Sequence, residues 1–263
     1  MRTHDESVGR LSPQRRLTVD YMRMAGRRSD VHGLVELDVT EARRRIQAIE
    51  DETGEQLSFT AFLVHCLAAA VADHPHVQAY RDWRGRVHRF DDVDVNVLVE
   101  RPVDGERVGV PHVVRAANRR SIRSVHDEIR GVQTTSDRSR GNRGSSLAQR
   151  LPGVVRRQLW RLPQLFPRRW TQLAGTVAVT SVGMFGEGNG WAVSPTNYTL
   201  QLTVGGIGTK PRVVDGEVST REYLSLTVTF DHDVVDGAPA ARFVQRLREY
   251  VEAAHGLDAA ADV

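Results

Sequence analysis

The sequence predicts a mixed α/β fold, and three observations support this prediction. Helical and strand-like hydrophobic patterns are interspersed along the first half of the chain, and the last third is rich in strands. No internal repeat is visible in the sequence. With 263 residues, of which 40% are hydrophobic, the chain can bury a substantial core. We expect residues 1–263 to form one domain.

The helices are predicted from apolar residues at helical spacing and from their end signals. Thr40 is a suitable N-cap residue for the second helix, and Pro75 ends the third. Pro239 is tolerated because it falls in the first turn of the last helix. The predicted helices cover residues 12–25, 40–52, 58–74, 121–132 and 237–255.

The strands are predicted from alternating polar and apolar residues or from short apolar runs. Asp215 and Gly216 form a turn signal between two short strands of the last third, as in a tight hairpin. The predicted strands cover residues 31–39, 77–81, 86–89, 93–99, 108–114, 175–180, 200–204, 212–214, 217–219 and 223–230.

One histidine lies where a predicted strand meets a predicted helix. Polar and apolar residues alternate from Tyr223 to Phe230, His232 follows, and Gly237 opens the last helix. The ordinary pKa of histidine, about 6.5, lets its side chain take up a proton near neutral pH. His232 is therefore a candidate base at the rim of a site, and a surface-loop histidine without a function is the alternative.

The residues around this histidine resemble a known signature. His232, Asp236 and Gly237 stand at the spacing found in the catalytic domain of the dihydrolipoamide acyltransferases of 2-oxoacid dehydrogenase complexes, and in chloramphenicol acetyltransferase. The stretch 175–186 is similar to the strand and turn of that family that carry a hydroxyl residue, with Thr180 at the hydroxyl position. Similarity in residues 11–17, 31–39 and 93–97 follows in the same order, so the resemblance extends over about residues 10 to 255.

The resemblance implies a two-layer α/β sandwich of the chloramphenicol acetyltransferase type, in which helices cover a large mixed sheet. It also implies a homotrimer, or a larger assembly of trimers, with the active site in a channel between subunits. In that site His232 removes a proton from a thiol or hydroxyl acceptor, which attacks an acyl thioester. Thr180 of the neighbouring subunit donates a hydrogen bond to the resulting oxyanion.

This chemistry is physically reasonable, because a thiol with a pKa near 8.5, and a hydroxyl still more, needs a base to react at neutral pH. Asp236 has two interpretations. Its position before a helix suits capping of that helix, whereas the family resemblance makes it an architectural acid paired with an arginine. Arg15 is the candidate partner for such a salt bridge, and Arg16 is the alternative.

The chain departs from the family pattern at positions that we expect near the channel. Asp233 follows the histidine where arginine is usual, and Ser181 replaces an asparagine after the hydroxyl residue. His112 follows Pro111 where valine is common. Ser181 and His112 are candidates to line the channel, and a strand-end surface histidine is the alternative for His112. These differences leave the acceptor of the acyl group open.

Lysine usage bears on the cofactor. Lys210 is the only lysine, and residues 208–211 do not resemble the hairpin that carries lipoate. We therefore expect no covalently bound lipoate, no lipoyl domain and no peripheral-subunit-binding domain, and we expect an acyl-CoA as substrate. The acceptor is then a lipoyl domain supplied in trans or a small molecule, as in chloramphenicol acetyltransferase-like O-acetylation. A catalytically inactive trimeric scaffold or partner-binding protein is the alternative of another class.

Composition limits the other possibilities. The apolar segments are too short to span a bilayer, and the polar N-terminus shows no signal peptide, so we expect a cytoplasmic protein. The single cysteine, Cys66, lies in an apolar helical run, which is typical of a buried packing residue. No Cys/His spacing typical of a metal site occurs, and we expect no metal.

Charge is strongly partitioned along the chain. Residues 138–170 contain nine arginines and no acidic residue, whereas the remainder has 27 basic and 33 acidic residues. Apolar residues are interspersed with these arginines, so we read the segment as a basic amphipathic insertion, a helical lid or trimer contact with solvated arginines. Contact with a membrane surface or nucleic acid, or recognition of CoA phosphates, are the alternatives. We expect no nucleic acid partner.

Overall fold

A six-stranded mixed sheet forms the centre of this computed structural model, which describes residues 9–103, 106–134, 151, 153–182, 188–214 and 216–258. The strands of the sheet are β1 (Asp30–Asp38), β4 (Val95–Val103), β5 (Glu106–Val114), β6 (Val177–Ser181), β7 (Leu200–Val214) and β8 (Glu217–Asp231). Their order is β1-β8-β7-β6-β4-β5. Strand β6 pairs in parallel with β4 and β7, and the other neighbours are antiparallel. A separate small sheet pairs β2 (Tyr80–Arg81) with β3 (Val87–His88).

The described helices are α1 (Pro13–Ala25), α2 (Thr40–Thr53), α3 (Phe59–Asp73), α4 (Ile122–Thr134), α5 (Gly153–Leu159), α6 (Leu162–Leu165), α7 (Pro167–Ala174) and α8 (Gly237–Glu252). Short 3₁₀ turns occupy Pro75–Gln78 and Ala117–Arg119. None of the helices in the described part of the chain is long and apolar enough to cross a membrane.

The main core lies between one face of the sheet and a layer of helices. Helix α3 is apolar on nearly all sides, and its Phe62, Leu67 and Val71 are fully buried. It packs against α4 and α8 and, with them, covers alternate residues of the strands. Burying each large apolar side chain contributes about 1.5–3 kcal/mol. The result is the predicted two-layer α/β arrangement.

We call the other side of the sheet the second face. On β8 it carries Ser225, Thr227 and Thr229, which alternate with the apolar residues of the core face. Over β4 and β6 an aromatic cluster covers this face, with Trp170 and Tyr198 packed against Ala178. The second face is therefore polar over β8 and aromatic over β6.

The prediction of two short strands in residues 200–214, and of two more in residues 217–230, was wrong. Each region forms one continuous strand of 15 residues, and a bulge lies between Val204 and Ile207. The apolar pattern breaks at Gly205 and Gly206, where the backbone at Gly188 and Gly190 crosses close to the strand. A Cβ on either strand glycine would collide with that backbone, so glycine is needed for the close approach and does not mark the end of the strand.

Two smaller predictions were also wrong. Thr40 is the first residue of α2 rather than its N-cap, and its hydroxyl accepts a hydrogen bond from the Glu222 amide at 2.8 Å. The strand predicted for residues 77–81 is limited to Tyr80 and Arg81, because the preceding residues continue the 3₁₀ turn that Pro75 begins. In both places a contact or a local turn overrides the sequence pattern.

We predict that Gly175→Ala strongly destabilises the protein. Gly175, just before β6, has φ 82° and ψ 176°, and a Cβ there would lie 2.7 Å from the Asp94 carbonyl oxygen. Because backbone strain alone in this region costs about 1–3 kcal/mol, we expect a loss of at least about 2 kcal/mol in the free energy of unfolding, measured with urea. The control is Gly54→Ala, with φ 70° and no atom within 4 Å of the added Cβ, at about 1 kcal/mol. Equal losses in the two variants would contradict the role of the contact.

Candidate active site

His232 lies in the tight turn between β8 and α8. The amides of Val234 and Val235 both donate to the Asp231 carbonyl oxygen at 3.0 Å, which closes the turn. The His232 amide donates to the Ser29 carbonyl oxygen at 2.9 Å, and the imidazole is exposed. The predicted strand-to-helix junction is therefore confirmed, and it presents the histidine at the surface of the single chain.

A buried ion pair anchors this turn. The Arg28 guanidinium contacts the Asp231 carboxylate, and the two side chains are only 8% and 9% exposed. Because Arg28 precedes Ser29 and Asp231 precedes His232, the ion pair and the amide contact join the same two chain segments. Asp231 Oδ1 also accepts a hydrogen bond from the Asp233 amide at 3.2 Å. The backbone of His232 is thus held on both sides.

Three charged side chains, Arg28, Asp231 and Asp30, lie close together behind the turn. Burial raises the pKa of Asp231, and the nearby Arg28 partly opposes the rise. Burial also raises the pKa of Asp30, whose Oδ2 accepts a hydrogen bond from the Thr196 amide at 3.1 Å. One guanidinium thus lies close to two carboxylates behind the histidine.

Thr180 lies on β6 and faces the second face of the sheet. It is half-buried, one position beyond the end of the aromatic cluster, whose last member on this strand is Ala178. Thr203 of β7 lies directly beside it, and Thr227 of β8 lies beside Thr203. Thr180 therefore stands at the edge of the aromatic cluster on the second face, beside the buried side chains of Thr203 and Thr227.

One chain does not bring Thr180 and His232 together. Strand β7 separates β6 from β8, and His232 lies five residues beyond Thr227 along the chain. With strands about 4.8 Å apart and a rise of about 3.3 Å per residue, the two residues lie roughly 15–20 Å apart. A site that uses both side chains requires a second copy of the chain.

Asp236 and its predicted partner remain apart in this structure. Asp236 occupies the N-cap position of α8, but its side chain makes no cap hydrogen bond. Arg15 and Arg16 are exposed on α1, and the described residues show no ion pair between either arginine and Asp236. The buried arginine–aspartate pair is Arg28–Asp231, which the sequence reading missed. The sequence shows only that Arg28 lies just before β1 and that Asp231 ends β8. It does not show that these two strands pair.

Ser181 and His112 lie on the core side of their strands. Ser181 is half-buried and follows Thr180, so the two point to opposite faces. His112 pairs in register with Val97, and its Nε2 lies 2.6 Å from Glu128 Oε1 on α4. Within one chain, neither side chain therefore points to the face of the sheet that carries Thr180. Asp233, the departure next to the histidine, forms an ion pair with Arg81 at 2.7 Å.

The Arg-rich segment 138–170 is described only in part, and its residues 138–150 lie outside the described residues. From residue 153 onward it forms helices α5 and α6 and the start of α7. Trp160 and Trp170 point inward, with ring centroids 6.4 Å apart, while Arg168 and Arg169 are exposed. This part of the segment is thus a helical cover whose aromatic side packs on the second face.

Within the described residues no group of three or more histidine, cysteine, aspartate or glutamate side chains is placed to hold a metal ion. Cys66 is buried in α3, and burial raises the pKa of its thiol. A buried thiol of this kind is a packing residue rather than a nucleophile. That this protein uses no metal stays a prediction.

Comparison with known proteins places these features in a family context. Residues 3–143 and 171–257 match the family described as 2-oxoacid dehydrogenases acyltransferase (catalytic domain). The chain is 26% identical over 259 residues to the lipoamide acyltransferase component of the branched-chain α-keto acid dehydrogenase complex of Pseudomonas putida, covering 95% of this chain and 53% of that protein. It is 23% identical over 257 residues to the acetyltransferase component of the pyruvate dehydrogenase complex of Corynebacterium glutamicum, covering 90% and 32%. The chain thus spans about half the length, or less, of these curated relatives.

Solved structures show the same fold. The dihydrolipoamide acetyltransferase of Azotobacter vinelandii superposes with a TM-score of 0.69 at 19% identity, covering 95% of this chain and 92% of that chain. The cubic core of a pyruvate dehydrogenase multienzyme complex gives a TM-score of 0.68 at 19% identity, with the same coverage. A chloramphenicol acetyltransferase gives 0.50 at 14% identity, covering 92% and 96%. The predicted fold class is confirmed.

We predict that Arg28→Met destabilises the protein in a pH-dependent way. Removing the arginine leaves the Asp231 carboxylate buried without its partner, which costs about 3–5 kcal/mol at neutral pH. Its pKa, already raised by burial, then rises further, so the folded state holds a proton that the unfolded state has released. The loss is therefore smallest near the ordinary pKa of aspartate and grows as pH increases through the raised pKa. Urea unfolding of the variant and of the native protein at pH 4.5 and pH 7 measures this difference.

The control for this prediction is the double variant Arg28→Met with Asp231→Asn. Because the amide carries no charge to desolvate, we expect it to recover much of the loss at pH 7 and to remove most of the pH dependence. A loss that is the same at both pH values, and that the second substitution leaves unchanged, would show that the ion pair is not its cause.

Proposed function

Because the chain belongs to the 2-oxoacid dehydrogenase acyltransferase (catalytic domain) family, we propose that it transfers an acyl group between a coenzyme A thioester and a thiol or hydroxyl acceptor. His232 is the base, and Thr180 of a neighbouring copy is the oxyanion donor. Asp236, at the N-cap position of α8 and four residues after the base, is the architectural acid that the family resemblance implies. The proposal assigns these roles to side chains that one chain keeps apart.

One observation carries the residue assignment. The Azotobacter vinelandii structure was used to investigate a serine, a histidine and an asparagine in the catalytic mechanism of that enzyme. There the serine precedes the histidine by 52 residues, and the asparagine follows it by four. Thr180, His232 and Asp236 have the same separations. Threonine keeps the hydroxyl of serine, and aspartate keeps the shape of asparagine but adds a charge, so the match in spacing supports the roles proposed for Thr180 and His232.

The reaction proceeds with a simple proton balance. The imidazole of His232 takes the proton of the acceptor thiol or hydroxyl, and the freed sulfur or oxygen attacks the thioester carbon. The carbonyl oxygen becomes an oxyanion and accepts a hydrogen bond from the Thr180 hydroxyl. When the intermediate collapses, the carbon–sulfur bond to coenzyme A breaks, and the departing thiolate takes the proton back from the imidazolium.

A homotrimer supplies the second copy in this proposal. The distance of roughly 15–20 Å between Thr180 and His232 in one chain requires that adjoining subunits contribute the two groups. The likeness to the cubic core of a pyruvate dehydrogenase complex supports an assembled form. Whether trimers associate further is a matter for light scattering, and a cytoplasmic location stays a prediction.

The acceptor is a lipoyl group supplied in trans or a small molecule. Lys210, the only lysine, lies within β7 and forms an ion pair with Glu36, a setting unlike an exposed lipoyl-bearing turn. Covalent lipoate on the present residues is therefore not part of the proposal. The competing function is a scaffold of the same fold without turnover, for which neither His232 nor Thr180 has a physical purpose.

We predict that His232→Ala lowers turnover by about 10²–10⁴-fold, because it removes the base. We predict about 10²–10³-fold for Thr180→Ala, and less than about tenfold for the matched control Thr180→Ser, which keeps a hydroxyl. The assay follows release of coenzyme A from acetyl-, isobutyryl- and succinyl-CoA, with dihydrolipoamide and chloramphenicol as acceptors. Unfolding in urea checks that each variant is folded. No histidine-dependent turnover with any pair would favour the scaffold.

We further predict that two inactive variants complement each other. In a mixed assembly of His232→Ala and Thr180→Ala chains, some interfaces join the intact histidine of one chain to the intact threonine of the other. In every trimer that contains both kinds of chain, one of the three interfaces is complete, so the doubly purified assembly recovers roughly one third of the native activity. The two chains are co-expressed with different tags and purified through both. A mixed assembly as inactive as its parents would place both groups in one chain or remove one from the reaction.

A further inference from the structure

We propose that one surface of this protein binds the headgroup layer of an anionic lipid membrane. The surface combines the tip of the β2–β3 hairpin with helix α6 and the start of α7, and we call it the basic aromatic surface. Its exposed side chains are Trp83, Arg84, Leu165, Phe166, Arg168 and Arg169. The proposal is independent of the proposed function, because none of these side chains takes part in the acyl transfer.

A backbone contact joins the two segments of this surface. The Trp83 amide donates a hydrogen bond to the Gln164 carbonyl oxygen at 2.9 Å. Leu165 and Phe166 follow Gln164 directly, and α7 begins at Pro167. The hairpin tip therefore lies beside the junction of α6 and α7, so the exposed side chains of both segments belong to one region of the surface.

Large apolar side chains of this region face solvent. Trp83 is 64% exposed, Phe166 is 58% exposed and Leu165 is 40% exposed. The neighbouring Trp160 and Trp170 pack in the aromatic cluster, so the helical cover already has its own buried side. Single exposed apolar residues are ordinary, but a group of them on one surface marks a contact site.

Arginines surround these apolar side chains. The Arg84 guanidinium lies over the Trp83 ring, 4.6 Å from its centroid, which is a cation–π contact. Arg168 and Arg169 follow Phe166 after one proline and are exposed at the start of α7. Carbon surface and positive charge therefore lie side by side.

Acidic side chains do not offset this charge within the two segments. Residues 153–181 contain no aspartate or glutamate, and the only acid in residues 80–90 is Asp82. Asp82 is 4% exposed, and its carboxylate is bound by Arg86 at 2.8 Å and by His88 at 3.1 Å. The basic aromatic surface therefore attracts anions.

The mixture of carbon and charge favours a lipid surface over a protein or a nucleic acid. Protein interfaces have an apolar centre that is depleted of charged residues, whereas here Arg84 lies over the exposed indole itself. Nucleic acid offers phosphates and base faces but no hydrocarbon for Leu165. A headgroup layer offers phosphates to arginines and, just below them, the acyl boundary in which tryptophan, phenylalanine and leucine side chains are buried.

The expected affinity follows from these groups. Each arginine near an anionic surface contributes about fivefold to partitioning, so the three arginines together favour anionic over uncharged vesicles by about 100-fold. Each aromatic side chain that enters the interface contributes about tenfold. Because salt screens the charges, the binding weakens as ionic strength rises.

The test uses the native assembled protein and sedimentation with vesicles of phosphatidylglycerol or of phosphatidylcholine. We expect binding to phosphatidylglycerol that weakens at least about tenfold between about 0.1 M and about 0.5 M salt, and little binding to phosphatidylcholine. Phosphatidylglycerol with brominated acyl chains should quench the tryptophan fluorescence of the native protein. Trp83→Phe should remove most of this quenching, because Trp83 is the most exposed of the four tryptophans.

The apolar contribution is tested with Trp83→Ser combined with Phe166→Ser, which should lower partitioning to phosphatidylglycerol by about 100-fold. The matched control is Val213→Ser combined with Val218→Ser. These valines are 66% and 75% exposed and pair with each other near the tip of the β7–β8 hairpin. We expect the control to change partitioning by less than about threefold.

The charge contribution is tested with Arg168→Gln combined with Arg169→Gln, which should lower partitioning by about 25-fold. The matched control is Arg44→Gln combined with Arg130→Gln. It removes the same charge from exposed positions on α2 and α4, in the helical layer that covers the core face. We expect a change of less than about threefold in the control.

The outcomes decide between this surface and its alternatives. Absence of binding to phosphatidylglycerol vesicles overturns the proposal, and so do equal losses in the surface variants and their controls. Tighter binding to duplex DNA or to polyglutamate, at a salt concentration that abolishes vesicle binding, would make a nucleic acid or an acidic protein the partner. Urea unfolding checks that each variant is folded. If a variant is unfolded, the native protein decides, because absence of quenching by brominated lipid overturns the proposal.

Discussion

The buried ion pair between Arg28 and Asp231 is the constraint on which the candidate site depends. Both side chains are more than nine-tenths buried, so neither charge is tolerated without the other. The pair lies where β8 ends and just before β1 begins, and Asp30 of β1 stands in register with Asp231. The next amide, that of His232, is bound to the Ser29 carbonyl oxygen. Through these contacts the pairing of β1 with β8, rather than the conformation of the turn alone, determines the position of His232.

Because side chains alternate along each strand, the two faces of the sheet have different roles. One face carries valines and leucines that pack against α3 and supply most of the buried apolar surface. The other face carries hydroxyls over β8 and an aromatic cover over β6, and Thr180 stands where that cover ends. Because strand β7 intervenes, the geometry keeps Thr180 away from His232 of the same chain. Stability and the proposed chemistry therefore use opposite sides of the same strands, and the chemistry needs a second copy.

The local sequence pattern predicted most helices and strands to within a few residues, because periodic burial is a local property. It failed where glycine was read as a break. Gly205 and Gly206 interrupt the apolar pattern of β7, yet they let the strand continue beneath the backbone at Gly188 and Gly190. The family resemblance, not the local pattern, named Arg15 as the candidate partner of Asp236, and that pairing stays a prediction; the arginine that the structure buries is Arg28, paired with Asp231. Arginine is frequent in this chain, and only strand pairing shows which one meets an acid.

The amino-acid sequence by itself determined the mixed α/β class, the strand-to-helix junction at His232 and, through the signature of His232, Asp236 and Gly237 and the stretch 175–186, the family resemblance. These are properties of neighbouring residues or of their separations along the chain. Only the tertiary structure decided which faces the side chains share: that His112 turns to Glu128, that Leu98 lies over Gly109, and that Thr180 and His232 of one chain stand apart. The physical reason is that these relations depend on strand order and register, which contacts between distant segments establish and no local pattern encodes.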